Sequence, residues 1–323
     1  MNDNTSETFN PPILVAVNGS EGSLAATRYA ANEAQRLGCV LRIIHVASTY
    51  QPIVGFMPMP MPTGPNEFEL VGRDILKVAV KEACKILPRD QVGSVLELGI
   101  RTTAVSQAAK SARLLVVGDD RTPVLARLAV GAFIGTVAAR TTVPMIVVPE
   151  NWTEPASGER RVVLGLKDAQ RIPPDLMRAA FQIAQDRDAT LEIVHVWDMP
   201  AGYGALITSM MDEPNTQTMT ERGVRSVVAP LRDEFPDVSY TTTSRYGQPA
   251  YILNELAEDA DLLLLARRGH GFPFGHFGAT GRALLREAAC PVEVLPIVER
   301  THEPTMATHP TSAHTSEHAG ANS

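Results

Sequence analysis

Two stretches of this chain, 150 residues apart, carry nearly the same six residues. Leu41-Arg42-Ile43-Ile44-His45-Val46 recurs as Leu191-Glu192-Ile193-Val194-His195-Val196. Other landmarks keep the interval. Arg113-Leu114-Leu115-Val116-Val117-Gly118 answers Asp261-Leu262-Leu263-Leu264-Leu265-Ala266 at 148, while Gly131-Ala132 and Val143-Pro144 answer Gly278-Ala279 and Cys290-Pro291 at 147. An interval that drifts so little marks two copies of one unit of roughly 145 residues, and the fold must be a doubled one.

Each copy alternates strands with helices. Ile13 to Val17 is a short apolar run bounded by Pro11-Pro12 and Asn18-Gly19, as a buried parallel strand requires. The helix after it puts Ala26, Ala30, Ala34 and Leu37 on one face and stops at Gly38. Val40 to Val46 reads as the second strand, and the next helix turns Val71, Ile75, Val78 and Ala79 inward before Leu87-Pro88. Strands near Val92 to Leu98, Leu114 to Gly118 and Met145 to Val148 complete the copy, and the second runs from Val162 to Leu295. The pattern predicts an α/β chain of two tandem doubly wound domains, 12–150 and 160–298. Each holds a five-stranded parallel sheet with helices on both faces. Residues 1–11 read as a mobile arm, 301–323 as a disordered tail, and 48–66 as a long Pro- and Met-rich connection.

Composition narrows the function. With 29 basic against 36 acidic residues, the net charge of −7 lacks the cations that grip nucleic-acid phosphates, and 5% aromatics make no base-stacking platform. The longest apolar runs, Ile13 to Val17 and Leu262 to Ala266, fall far short of the about 20 residues of a membrane span. The start reads as lacking a signal peptide. Three scattered cysteines, Cys39, Cys84 and Cys290, fit reduced thiols in a cytoplasm, with Cys84 and Cys290 as small core residues. Met57, Met59 and Met61 could suit a soft metal but read as loop hydrophobes, and His302, His309, His314 and His318 are too irregular for a site, so no metal is expected. His45 and His195 end equivalent strands, which favours a structural role. No nucleophile elbow, zinc-protease helix or P-loop is present, so no catalytic residue is assigned.

The opening Ile13-Leu14-Val15-Ala16-Val17-Asn18-Gly19-Ser20-Glu21-Gly22-Ser23 resembles the first strand and loop of universal stress proteins, where the usual run is V-x-V-D-G-S. The His45-Val46 strand, the Leu114 to Gly118 strand and the Gly131 to Pro144 helix follow in that family's order, over about residues 13–149 and 162–297. The resemblance implies an adenine nucleotide alpha hydrolase-like fold. It also implies that the fifth strands, Met145 to Val148 and Val292 to Leu295, pair across the copies as an intrachain pseudo-dimer. An apolar edge strand gains by such a partner. Homodimerisation stays open.

Members of that family that bind ATP resemble one another at two loops: an Asp after the first strand for the ribose, and G-x-x-G-x9-G-[ST] after the fourth for the phosphates. Glycines admit backbone N–H groups to phosphate oxygens, and the following helix offers its positive end at the switch point of the sheet. In the first copy Asn18-Gly19 stands at the acid's place, and the second loop reads Gly118-Asp119-Asp120-Arg121, nine residues, then Gly131-Ala132. Two carboxylates beside a phosphate cost on the order of 3 kcal/mol each at about 5 Å and a dielectric near 20, so this copy reads as other than an ordinary ATP site. In the second copy Lys167-Asp168 follows the first strand, and the loop reads Ala266-Arg267-Arg268-Gly269-His270-Gly271, then Gly278-Ala279. Its first glycine is gone, but Arg267, Arg268 and Lys167 supply positive charge. The resemblance implies a non-catalytic stress-response protein that senses an adenine nucleotide, ATP, and acts on an unidentified protein partner. Two alternatives stay open: a nucleotide-free interaction scaffold, in which these loops are only turns, and a slow ATPase.

Overall fold

The computed structural model describes residues 10–47, 65–119, 124–153, 158–198, 213–268 and 278–297. The Met-rich segment, the N-terminal arm and the histidine-bearing tail lie outside them. The first copy runs β1 (Ile13–Val17), α1 (Glu21–Arg36), β2 (Leu41–Ala47), α2 (Pro65–Ala83), β3 (Val92–Leu98), α3 (Arg101–Ala109), β4 (Leu114–Asp119), α4 (Val124–Arg140) and β5 (Met145–Pro149). The second runs β6 (Arg160–Leu166), α5 (Pro174–Asp186), β7 (Ala189–Trp197), α6 (Glu213–Val228), β8 (Tyr240–Tyr246), α7 (Pro249–Ala257), β9 (Leu262–Arg268), α8 (Ala279–Glu287) and β10 (Val292–Ile297).

The ten strands form one sheet in the order β3-β2-β1-β4-β5-β10-β9-β6-β7-β8. Each half is parallel, and the halves join where β5 meets β10 antiparallel, Val147 opposite Val292 and Met145 opposite Val294. The predicted pairing of the fifth strands is thus present. Because the joint is antiparallel, the carboxyl ends of the two sets of strands point to opposite edges of the sheet.

Alternate residues of each strand feed different cores. Leu14, Ile44 and Leu115 belong with Val163, Val194 and Leu263 to a single cluster under α3, α4, α7 and α8 that spans both halves. On the other face α1 and α2 cover one cluster, around Ile13, Val15 and Ile43, and α5 and α6 cover another, around Leu164, Phe181 and Ile193. Small side chains let α1 lie close to the sheet: Ala26, Ala30 and Ala34 are fully buried. Leu37, expected on that face, is half-buried at the helix end.

The face of α2 corrects the sequence expectation. Of the four residues expected inward, Ala79 is buried and Ile75 half-buried, but Val71 and Val78 are 54% and 53% exposed, and Leu76 and Ala83 take the inner face with Ala79. The helix is turned by one position so that Gly72 meets the sheet. A Cβ there would lie 2.7 Å from Leu96 Cδ1 and 3.0 Å from His45 Cδ2, so the glycine sets how closely the helix approaches.

Where the two separate cores would merge across the joint, buried polar groups stand instead. Arg187, just after α5, pairs with Glu33 of α1 at 2.8 Å and donates to the Tyr29 hydroxyl at 2.9 Å. Glu33 also pairs with Arg36, which donates to the Asp186 carbonyl at 3.0 Å. Glu293 of β10 is buried beside this group, and Tyr29 packs edge-on against Trp152 at 5.0 Å. On the opposite face Arg267 reaches from β9 into the first half, donating to the carbonyls of Ala139 (2.7 Å) and Thr141 at the end of α4. These contacts tie the halves together on both sides of the sheet.

Candidate functional site

Each half has a cleft at the carboxyl edge of its strands, where the chain order reverses between β1 and β4 or between β6 and β9. The first measures 610 Å³ and the second 460 Å³, both within the span of small-molecule sites.

The turn from β1 to α1 enters the first cleft. Asn18 Oδ1 accepts the Ser20 N–H at 3.1 Å and the Ser20 hydroxyl at 2.6 Å, closing an Asx turn. Ser20 in turn caps α1 by accepting the Ser23 N–H at 3.1 Å. Gly19, at φ +88, takes a conformation that a side chain would strain. The carboxamide oxygen expected at the ribose position is therefore occupied with shaping the loop.

Gly118 has a packing role. A Cβ on it would lie 2.2 Å from the Gly22 carbonyl oxygen, so only glycine lets β4 run beneath the first turn of α1. In the second half α5 starts at Pro174, farther beyond its strand than α1 is beyond β1, and Ala266 is accommodated.

The third glycine separates the halves. Gly131 and Ala132 lie inside α4, which begins at Val124, so their N–H groups are spent on the helix's own bonds. The helix end expected beside a phosphate is absent there. In the second half Gly278 is the N-cap of α8, with no side-chain cap bond, and Ala279 is its first residue. Gly278, Ala279 and Thr280 line the second cleft together with Lys167, Asp168 and Arg171. The N–H groups of a helix start that no side chain caps thus share one cavity with Lys167 and Arg171.

Asp168 Oδ1 accepts the Gln170 N–H at 2.9 Å, the same turn that Asn18 makes in the first half. Arg267, expected to add charge to the cleft, sends its guanidinium to Ala139 and Thr141 instead, and burial lowers its pKa. Arg171 takes up part of that role. Its sequence signal was its place in the long loop after β6. Arg268 closes β9, with its side chain outside the described atoms, and Asp120, Arg121, Gly269, His270 and Gly271 lie outside the described residues.

The paired histidines hold strand ends. His45 Nδ1 lies 2.8 Å from the Val17 carbonyl oxygen and His195 Nδ1 3.2 Å from that of Leu166. Burial holds His45 below the usual imidazole range, so it is the neutral ring that donates. Cys39 and Cys290 are buried and Cys84 half-buried, all as free thiols, and burial pushes Cys290 up to about 12. Among the described residues no cluster of metal-binding side chains occurs, and no helix is long and apolar enough to cross a membrane.

The sequence pattern described as Universal stress protein family matches residues 10–149 and 160–296. A universal stress protein of Mycobacterium tuberculosis (strain ATCC 25618 / H37Rv) is 25% identical over 299 residues, covering 87% of this chain and 95% of its own. Another, from Mycolicibacterium smegmatis (strain ATCC 700084 / mc(2)155), is 27% identical over 297 residues, covering 88% and 96%. The crystal structure of a universal stress protein from Archaeoglobus fulgidus DSM 4304 superposes with a TM-score of 0.62 at 13% identity, over 88% of this chain and 97% of that one.

Proposed function

The chain belongs to the universal stress protein family, and on that premise we propose that it is a non-catalytic cytoplasmic protein of the stress response. It binds an adenine nucleotide in its second cleft and passes the signal to a protein partner. One observation carries this reading: the uncapped start of α8 and the cations Lys167 and Arg171 line the same cavity. Polarised N–H groups at a helix start and nearby cations are what a phosphate chain needs. Val196, Leu253 and Leu265 give that cavity an apolar floor against which a purine can lie. The carboxylate lining it, Asp168, spends Oδ1 on the loop turn, which argues against a general base for hydrolysis.

The test is thermal unfolding of the full chain titrated with ATP, with and without Mg²⁺. Ligand at 100 times its dissociation constant stabilises the native state by about 2.7 kcal/mol, a shift of a few degrees. Lys167→Glu and Arg171→Glu should each weaken the response strongly, while Asp120→Arg leaves it nearly unchanged. Equal losses from all three would put the site elsewhere. No saturable shift at millimolar ATP would overturn nucleotide binding and leave the interaction scaffold in its place.

A further inference from the structure

We propose that the first cleft is a separate site for an apolar organic acid: an acyl chain or aromatic ring system bearing a single carboxylate. This proposal does not rest on nucleotide binding in the second cleft. The walls of the first cleft are core residues. Ile44, Val46, Val105 and Val117 belong to the shared cluster and also line the cavity, while Ile100 and Phe133 extend the apolar surface outward. Ile100 is 65% exposed, so a bulky aliphatic side chain is held in water where an apolar guest would cover it.

The second half shows how this space can be closed. Leu253, the counterpart of Val105, packs over Gly165, the counterpart of Ala16: a Cβ on Gly165 would lie 3.0 Å from Leu253 Cδ1. With Val105 and Ala16 in those places the first half keeps the depth open.

The polar groups match one negative charge. Arg101 lines the cleft and has no ion-pair partner among the described residues. It is also the first residue of α3, whose N-cap, Ile100, has no side-chain bond to offer and whose first turn holds no acid. A cation on the positive end of a helix is the unfavourable placement, and one carboxylate bound between Arg101 and the mouth would relieve it. Arg140, also on the lining, has bonding partners of its own. A polyphosphate finds less. The N–H groups of Gly131 and Ala132 are inside α4, and the Asn18 oxygen is occupied by Ser20.

The experiment is calorimetric and thermal titration of the full chain with decanoate, 2-naphthoate, decanol and ATP, repeated on Arg101→Gln, Ala132→Trp and Lys167→Glu. Ala132 is exposed on α4 at the cleft, so an indole there fills the cavity without entering the core. We expect at least one of the two acids to bind saturably, one per chain, and which of them binds tells chain from ring. Decanol should bind about tenfold more weakly than decanoate where decanoate binds, and Arg101→Gln should weaken the bound acid by about tenfold, since both remove a charge-assisted contact. Ala132→Trp should abolish binding, and Lys167→Glu should leave it unchanged. Should Ala132→Trp fail to fold, Arg101→Gln on its exposed side chain decides. Failure of both acids to bind, an affinity that Arg101→Gln leaves unchanged, or ATP bound at a site that Ala132→Trp abolishes would each overturn the proposal.

Discussion

Glu293 offers a direct test of how the two halves are joined. Its carboxyl is buried on β10, facing Arg187, Glu33 and Arg36, with Tyr29 in the same group. Burial raises its pKa from the ordinary 4.5 to about 7; Arg187 and Arg36 oppose the rise and Glu33 adds to it. The sign follows from proton binding. Between about 4.5 and 7 the unfolded chain has lost this proton while the folded chain keeps it, so stability falls as pH rises through that window. The gap, at about 1.4 kcal/mol for each pH unit, amounts to about 3 kcal/mol, fully present below 4.5 and gone above 7. Glu293→Gln removes the titration and keeps the shape. Urea unfolding of both proteins at pH 4.5, 6 and 8 gives the difference of differences, which cancels any fixed cost of the amide. The wild type should lose about 3 kcal/mol more than the variant between the end points. Parallel profiles would mean that Glu293 ionises as an exposed glutamate does, and the account of the seam would fail.

Two further substitutions probe roles that differ from those the motifs suggested. Gly118→Ala should destabilise the chain by about 1–3 kcal/mol or more in urea, because the new methyl meets the backbone of Gly22, which cannot swing aside; a neutral result would return this glycine to the ligand. Arg267→Met should cost about 2 kcal/mol in guanidinium unfolding by stranding the carbonyls of Ala139 and Thr141, and should leave ATP binding nearly intact. Loss of ATP binding with unchanged stability would put Arg267 back in the cleft.

The strands were legible because apolar runs such as Ile13 to Val17 and Leu262 to Ala266 have one use in a doubly wound sheet, and the repeat supplied every element twice. The β5–β10 joint was legible through the resemblance to universal stress proteins, and two apolar edges that needed cover agree with it. The orientation of α2 did not follow. Residues 71, 75, 78 and 79 and residues 72, 76, 79 and 83 form overlapping helical stripes that share Ala79, and only the fit of Gly72 against Leu96 and His45 chooses between them. The start of α4 was hidden for a similar reason. Gly131-Ala132 matches a helix start by motif, yet Val124 to Val130 is a run of good helix formers that carries the helix past it. The buried group at the seam joins Glu33, Arg187 and Glu293, charged residues far apart in the chain, which no local pattern connects.

The seam also explains how the clefts came to differ. The polar and strand contacts of the seam, β5 on β10 and Arg187 on Glu33 and Tyr29, use no residue that lines either cleft. The apolar cluster shared by the halves does reach both clefts, through Val105 and Val117 in one and Val196 and Leu253 in the other. Arg267 also belongs to both joint and cleft. It lines the second cleft by position but has been drawn across the sheet to finish α4 of the other half. A guanidinium that caps buried carbonyls cannot also neutralise a phosphate, so the second cleft must draw its charge from elsewhere. Lys167 and Arg171, on a loop longer than its counterpart in the first half, stand where that charge is needed. The long loop is itself packed tightly: a Cβ on Gly223 of α6 would lie 2.0 Å from the Ala169 carbonyl oxygen, so α6 fixes the turn that carries Lys167 and Arg171. Lengthening that loop, closing the floor with Leu253 and starting α8 late built one kind of cleft. Keeping the loop short, the floor open and α4 long built the other.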